Sequence, residues 1–155
     1  MKAEAIRRVL EAIAEDIIEL VQTILSSDEV GMNIKVGKNT LKDSNLYNDI
    51  ETKVDESGNP IIYLMLNHYV EYIERGRERY KEPKVPIDAL RDWALRKGIP
   101  TDNSTLFAIQ TSIYNIGIRP RPILHYVFEE LDKLFEKEYF DKLFEAIITE
   151  LNEYF

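Results

Sequence analysis

The chain has 155 residues, 45% of them hydrophobic and 31% charged, with a formal net charge of -8 at pH 7. This length and composition predict one domain, residues 1–155, with a core of its own, and they exclude a chain that is disordered throughout. The lack of cysteine excludes disulfides, thiolate metal sites and cysteine nucleophiles, and the negative charge disfavours a protein that coats nucleic acid non-specifically.

The first segment, residues 1–27, has the pattern of one long amphipathic helix. Its apolar residues recur three or four positions apart and define one stripe: Ile6, Leu10, Ile13, Ile17, Leu20, Val21 and Ile24. Acidic residues interrupt any continuous apolar run: Glu11, Glu15, Asp16 and Glu19. We therefore expect neither a signal peptide nor a membrane span, and no membrane partner.

Residues 32–73 are predicted to form a small antiparallel sheet. The alternation in "MNIKV" (32–36) predicts a short strand. The polar stretch "KNTLKDSNLYND" (38–49) predicts a loop that is anchored in the core by Leu41 and Leu46.

A β-hairpin is the clearest part of this sheet. The runs 50–56 and 61–67 flank the turn sequence "SGNP". Alternation in the first run predicts a half-exposed strand, whereas the second run is apolar throughout, which predicts a central strand. The residues that follow, Tyr69 to Ile73, are expected either to cap the sheet or to form a helical turn before Gly76.

Two short helices are predicted over residues 86–116. The first runs from Pro86 to a stop at Gly98, and the second runs from an N-cap at residues 101–104 to Gly117. Three residues of the first helix are expected to pack in the core: Leu90, Trp93 and Ala94.

Residues 122–155 are predicted to form a C-terminal helical segment. Its apolar residues recur at helical spacing: Ile123, Val127, Leu131, Leu134, Phe135, Phe140, Leu143, Phe144, Ile147 and Leu151. Neither proline nor glycine interrupts the segment, so we expect one long helix, with Glu138–Tyr139 as the place for a bend or a break. A long helix, a small antiparallel sheet and further helices, without β-α-β alternation, define the α+β class.

The sequence contains few groups that could perform chemistry. His68 and His125 are its only histidines, and HxH, HExxH, GxSxG, Asp-rich calcium loops and glycine-rich phosphate loops are absent. The acidic residues are interleaved with lysine, as on a solvated helix surface. We therefore expect no enzymatic activity, no catalytic residue, no metal and no cofactor; the enzyme alternative needs converging carboxylates in a cleft between sheet and helices.

Charge is unevenly distributed along the chain. Residues 75–98 contain eight Lys or Arg against four Asp or Glu, whereas residues 129–155 contain three against nine. Opposite patches on one chain suit head-to-tail contact between identical subunits, which closes into a ring when the rotation allows it, although ordinary solvated surface has such patches too. The alternative function is a small nucleic-acid-associated adaptor that uses the basic segment 75–98.

The stretch "NIGIRPRPIL" (115–124) places two arginines before two prolines. Pro120 and Pro122 fix φ and disfavour the α conformation at Arg119 and Arg121, which predicts an extended, rigid entry into the final helix. A stiff segment loses little entropy when its arginines pair. We therefore hypothesise that Arg119 or Arg121 pairs with a carboxylate of the C-terminal helix or of an adjacent subunit.

Several short motifs occur in a fixed order. A Leu-x-x-Ser element precedes the sheet, a Tyr/Val-Glu-aromatic-x-x-x-Gly element follows it, and an Arg-Pro pair precedes the last helix; the residues are Leu41, Ser44, Tyr69, Val70, Glu71, Gly76, Arg121 and Pro122. This series, over roughly residues 40–135, resembles the neck or tail-completion proteins of tailed bacteriophages. The segment Pro86 to Gly98 is similar to an insertion common in that family, whereas "EYIERGRER" and Ile123 depart from its pattern.

The resemblance implies a non-enzymatic structural role in the virion neck or tail, after assembly in the host cytoplasm. It implies a homo-oligomeric ring, commonly of six or twelve copies, with portal or adaptor proteins on one side and tail proteins on the other. DNA would be present only as cargo passing through the lumen. The candidate subunit-interface residues are five arginines near the motifs: Arg75, Arg77, Arg79, Arg119 and Arg121.

Overall fold

The order of the elements confirms the α+β class: a long helix precedes two small antiparallel sheets, and further helices follow. The computed structural model describes residues 4–33, 37–42, 44–68 and 70–153. Contacts divide the chain into two compact units, unit 1 (Met1–Glu71 with Pro122–Phe155) and unit 2 (Tyr72–Arg121). The single domain over residues 1–155 stays a prediction.

The helices are α1 (Glu4–Ser26), α2 (Asp28–Gly31), α3 (Asn45–Asn48), α4 (Val70–Arg75), α5 (Ile87–Lys97), α6 (Asn103–Ile116), α7 (Ile123–Leu134) and α8 (Phe140–Asn152). A π-helical turn (Phe135–Tyr139) joins α7 to α8. The strands are β1 (Met32–Asn33), β2 (Lys38–Asn39), β3 (Glu51–Asp55) and β4 (Ile61–Met65).

Helix α1 supplies the largest part of the core of unit 1, and its predicted amphipathic pattern is confirmed. Its buried residues lie on one face: Leu10, Ile13, Ala14, Ile17, Val21, Ile24 and Leu25. This face packs against β3, β4, α7 and α8. Among the described residues, no helix combines the length and the apolar character that a membrane span requires.

The predicted hairpin is confirmed, but the prediction of a central second strand is wrong. Strands β3 and β4 pair antiparallel, with Glu51 opposite Met65 and Asp55 opposite Ile61. Since this sheet has only two strands among the described residues and successive side chains alternate between its faces, an apolar strand must leave every second residue outside. Ile61, Tyr63 and Met65 are accordingly exposed.

Residues 32–73 do not form a single sheet. Strands β1 and β2 pair as a separate sheet, in which Met32 faces Asn39, and residues 70–75 form α4, the helical alternative at this position. Residues 34–36 of the predicted strand and Tyr69 lie outside the described residues. The loop 38–49 includes β2 and α3, and its two predicted anchors, Leu41 and Leu46, are buried.

The C-terminal segment is continuously helical, as predicted, and its irregularity lies at the predicted position. Five buried or half-buried residues are spaced by four: Val127, Leu131, Phe135, Tyr139 and Leu143. Four residues of an α-helix turn through about 400°, so such a series drifts about 40° at each step. The π turn contains more residues per turn and corrects part of this drift, which keeps Tyr139 inside with 2% of its surface exposed.

Tyr139 anchors the π turn to α1. Its hydroxyl donates a hydrogen bond to Oδ2 of Asp16 at 3.1 Å. Burial, together with this hydrogen bond and the negative charge of Asp16, raises the pKa of Tyr139 to about 12.

Unit 2 contains the two predicted short helices, α5 and α6, packed on a small core. Its buried centre is Leu90, Ala94 and Leu106, surrounded by Val85, Ile87, Ile99, Ile109 and Ile113. Helix α5 ends at Gly98, which has a φ of +69°, and the Asp102 carboxylate caps α6 by accepting the Thr105 N–H at 2.9 Å.

The prediction that Trp93 packs in this core is wrong, since 38% of its surface is exposed. The buried face of α5 is centred between Leu90 and Ala94. At 100° per residue, Trp93 points about 80° away from that centre.

Candidate interaction surfaces

The five arginines predicted at a subunit interface all lie in unit 2, on two segments that run side by side. We call these segments the arginine crossing: residues 72–80 and 116–121. Arg77 and Ile118 exchange two backbone hydrogen bonds, each 2.9 Å long, in antiparallel geometry. The sequence analysis selected these arginines as candidate interface residues, but it did not predict that the two segments lie side by side.

Further hydrogen bonds extend the crossing in both directions. The Arg121 N–H donates to the Ile73 carbonyl at 2.9 Å, and the Tyr80 N–H donates to the Tyr114 carbonyl at 3.0 Å. The rings of Tyr80 and Tyr114 also meet edge to face, with centroids 5.7 Å apart. The backbone that carries the arginines is therefore held in place at three positions.

Two glycines allow the segments to come this close. Gly76 has a φ of +64°, and a Cβ atom built on it would lie 2.4 Å from the Ile118 carbonyl oxygen. Gly117 has a φ of +77°, and its Cβ would lie 2.4 Å from the Arg77 carbonyl oxygen. Positive φ and backbone contact both require glycine here. The sequence indicated Gly117 only as a helix stop.

The arginines of the first segment differ in their surroundings. The Arg77 side chain is the most enclosed, donates to the Pro83 carbonyl and lies 3.8 Å from a Glu82 carboxylate oxygen. The exposed Arg75 lies 3.9 Å from the same carboxylate. The Arg75–Glu82 pair is long and solvent-exposed and stabilises little, so Glu82 leaves the positive charge of Arg75 available at the surface of the crossing.

The second segment holds Arg119 at the surface and Arg121 half-buried. Burial lowers the pKa of the Arg121 guanidinium below its usual range, and the group remains protonated at all physiological pH values. The hypothesis that one of these two arginines pairs with a carboxylate of the C-terminal helix or of an adjacent subunit stays a prediction.

The crossing exposes large apolar side chains as well as charge. Four of them are 44 to 59% exposed: Tyr72, Tyr80, Ile116 and Ile118. The same segments carry five arginines against Glu74 and Glu78. Arginine and tyrosine are enriched at protein–protein interfaces, so this composition is typical of a contact surface.

Unit 1 has a second apolar surface, on the outer side of α8. Its inner side, with Ala146 and Glu150, is buried, and a Glu150 carboxylate oxygen accepts the Ala5 N–H at the start of α1. Five further apolar residues are 42 to 64% exposed, and we call them the α8 face: Phe140, Phe144, Ile147, Ile148 and Leu151. Two exposed carboxylates, Asp141 and Glu145, border this face on its Ile148 side.

A groove of about 1130 Å³ in unit 1 lies between α1, β4, α7 and α8. Its lining is mostly apolar and includes Leu10, Ile13, Leu64, Phe128, Leu131 and Ile147. The lining contains one carboxylate, that of Glu71, and one histidine, His68. The described residues contain no cluster of three or more His, Asp or Glu side chains that could hold a metal ion.

No protein-family model, no curated protein and no solved structure matches this chain. The function of its surfaces is therefore argued from their own chemistry. The crossing is apolar and basic, and the α8 face is apolar and acidic at its border.

Proposed function

We propose that the protein is a structural subunit of a tailed-bacteriophage virion. Identical copies form a ring in the neck or tail that joins the portal–adaptor assembly to the tail. The observation that carries this proposal is the arginine crossing. It joins two elements of the motif series by which the sequence resembles the neck proteins, the element that ends at Gly76 and the Arg121-Pro122 pair.

The contact between these two elements explains why the first element needs a glycine at position 76. A Cβ on Gly76 would lie 2.4 Å from the Ile118 oxygen and 2.7 Å from the Pro120 nitrogen, so the glycine of one element is required by the backbone of the other. Arginine and aromatic side chains on a backbone that is held in place are typical of a binding surface. The surface formed here is apolar and basic, which suits a protein partner with exposed acids.

The distribution of charge supports contacts between identical copies. The basic crossing lies in residues 72–121, and the acidic excess lies in residues 129–155. A contact between different surfaces of two copies is heterologous, and such contacts generate closed rings when the rotation between neighbours divides the circle.

Light scattering on the purified protein, with negative-stain imaging of the same sample, tests the proposal. We expect rings of uniform diameter, or a monomer that becomes a ring when purified portal or adaptor protein is added. A protein that stays monomeric with every connector supplied would contradict the proposal.

Arg121→Glu provides a sharper version of this test. We expect the variant to fold, as judged by circular dichroism, and to lose ring assembly because it reverses a charge within the crossing. Arg96→Glu, an exposed arginine of α5 outside the crossing, is the matched control and should assemble normally. Normal assembly by Arg121→Glu would contradict the role assigned to this arginine.

The adaptor function is the second candidate, because exposed Tyr72 and Tyr80 lie among the arginines of the crossing. Aromatic rings beside arginines are the groups on which single-stranded bases stack. This function predicts binding to a single-stranded oligonucleotide that weakens steeply between low and physiological salt concentration. Absence of binding at low salt would exclude it.

A further inference from the structure

We infer that the α8 face of one copy is covered by the arginine crossing of a second copy. The inference rests on the proposed ring and names the two surfaces that meet in it. It identifies the partner of the C-terminal helix as the chain itself, in a head-to-tail contact.

The α8 face exposes a broad apolar surface. Its five residues follow a 4-3-1-3 spacing, which keeps them on one side of the helix over about three turns. With side chains of this size about half exposed, they present on the order of 400 Å² of apolar surface. A patch of that size is comparable to the largest apolar patch on a typical soluble monomer, and such patches are often functional. The side of α8 that carries Ala146 and Glu150 already packs on α1, and the exposed α8 face is available for a partner.

Charge distinguishes between a second α8 face and the crossing as the partner. If two α8 faces met in an antiparallel arrangement, Asp141 and Glu145 of one copy would approach the same carboxylates of the other, and like charges at a contact weaken it. The crossing instead supplies exposed Arg75, Arg79 and Arg119. Arginine forms two-pronged hydrogen bonds with carboxylates, which adds geometric specificity.

The α8 face and the crossing also match in apolar character and in rigidity. The crossing exposes Tyr72, Tyr80, Ile116 and Ile118 around its arginines, so apolar surface meets apolar surface while the charges pair at the border. Both surfaces are fixed before contact, one by backbone hydrogen bonds and the other by helix packing. Pre-organised surfaces lose less conformational entropy on binding.

The experiment uses two charge-reversed variants of the full chain. The first, Asp141→Lys with Glu145→Lys, reverses the border of the α8 face; the second, Arg79→Glu with Arg119→Glu, reverses the crossing. All four residues are exposed, so both variants should keep the circular dichroism spectrum of the unmodified protein. Each variant alone should associate at least about tenfold more weakly, because like charges now meet at every contact.

Mixing the two variants provides the decisive measurement. In the mixture, each reversed surface finds a complementary surface on the other variant, so association should return to within about threefold of the unmodified protein. Restoration requires α8 to meet the crossing of a different copy. Failure of the mixture to recover, while the unmodified protein forms rings, would overturn the inference and leave the proposed ring intact.

Cross-linking locates the contact directly because the chain has no cysteine. Two single-cysteine variants, Ile148→Cys in α8 and Ile116→Cys in the crossing, are mixed and treated with a short bismaleimide. The expected product is a dimer that joins residue 148 to residue 116, identified by peptide mass. Products that join 148 only to 148 would overturn the inference.

The two proposals fail in distinguishable ways. If the 148–116 product forms but no connector produces a ring, the head-to-tail contact stands and the neck function fails. If rings form on a connector without the 148–116 product, the neck function stands and the inferred contact fails.

Discussion

The arginine crossing and the π turn are both irregular stretches of backbone, but they are built in different ways. The crossing depends on the absence of side-chain atoms, since Gly76 and Gly117 lie against opposing carbonyl groups. The π turn depends on the presence of a side chain, since it keeps Tyr139 buried and bonded to Asp16. Irregular backbone can thus be specified by residues that lack a side chain, such as Gly76 and Gly117, as well as by a buried side chain, such as that of Tyr139.

The same difference applies to the surfaces that these stretches support. The crossing presents arginines on a backbone that is held by hydrogen bonds within unit 2. The α8 face follows the π turn, and its direction depends on how many residues the turn contains. We therefore expect the crossing to be sensitive to added atoms and the α8 face to be sensitive to changes at the π turn.

The largest effect is expected at Gly117. Gly117→Ala should lower the free energy of unfolding by about 3 kcal/mol or more, because alanine is strained at this φ of +77° and its Cβ would lie 2.4 Å from the Arg77 oxygen. Urea denaturation, followed by circular dichroism, measures the change.

Gly98→Ala is the matched control for that prediction. Gly98 has a similar φ of +69°, but a Cβ there would meet nothing within 4 Å. Only the conformational cost remains, so we expect a loss of about 1 kcal/mol. Equal losses at the two positions would contradict the close backbone contact at the crossing.

The next effect concerns Tyr139 and pH. Its pKa of about 12 in the folded protein lies above the usual value of 10.0, so the folded state favours the neutral phenol. The stabilisation is complete below pH 10 and is lost as pH rises to about 12, by about 2 to 3 kcal/mol in total.

Comparison with Tyr139→Phe isolates this effect. Phenylalanine does not ionise, so the difference in unfolding free energy between the protein and the variant should move in favour of the variant between pH 10 and 12. Tyr72→Phe removes a hydroxyl group from an exposed residue and serves as the control. Parallel pH curves for the protein and Tyr139→Phe would contradict the burial of the Tyr139 hydroxyl against Asp16.

The sequence was informative wherever a local rule decides the structure. Helical spacing identified α1, the turn "SGNP" identified the hairpin, and Gly98 marked the end of α5. The buried anchors of the polar loop were also predictable, because leucines within a polar stretch are expected to pack in the core, and Leu41 and Leu46 are both buried. Each of these features depends on a few neighbouring residues.

Sequence reasoning failed where the answer depends on distant residues. An apolar run is compatible with a central strand, and nothing local shows that β4 has only β3 beside it among the described strands. The position of Trp93 depended on which side of α5 meets α6, and the crossing depended on the pairing of Arg77 with Ile118. The π turn differs from these features because its cause is local. The sequence analysis predicted only a bend or a break at Glu138–Tyr139, but the spacing of four from Val127 to Leu143 that accounts for the turn is present in the sequence.

A smaller effect is expected at the start of α6, the helix that leads into the second segment of the crossing. Hydrogen bonds from Thr105 lower the pKa of the Asp102 carboxylate, so its capping contribution is present above the usual pKa of 3.8 and is lost as pH falls below it. Asp102→Ala should lower the melting temperature by a few degrees at pH 7, and the difference should shrink below pH 3.8. A pH-independent difference would contradict the capping role.

The smallest effect on the folded monomer is expected at Phe144, on the α8 face. Phe144→Ser should change the free energy of unfolding by less than about 0.5 kcal/mol, because the side chain is exposed and the two residues have similar helix propensities. Val127→Ala, in the buried side of α7, should cost about 2 kcal/mol instead. A large loss in Phe144→Ser would show that the α8 face is already covered within the monomer. A small loss, combined with weakened association in light scattering, would show that its packing partner belongs to another molecule.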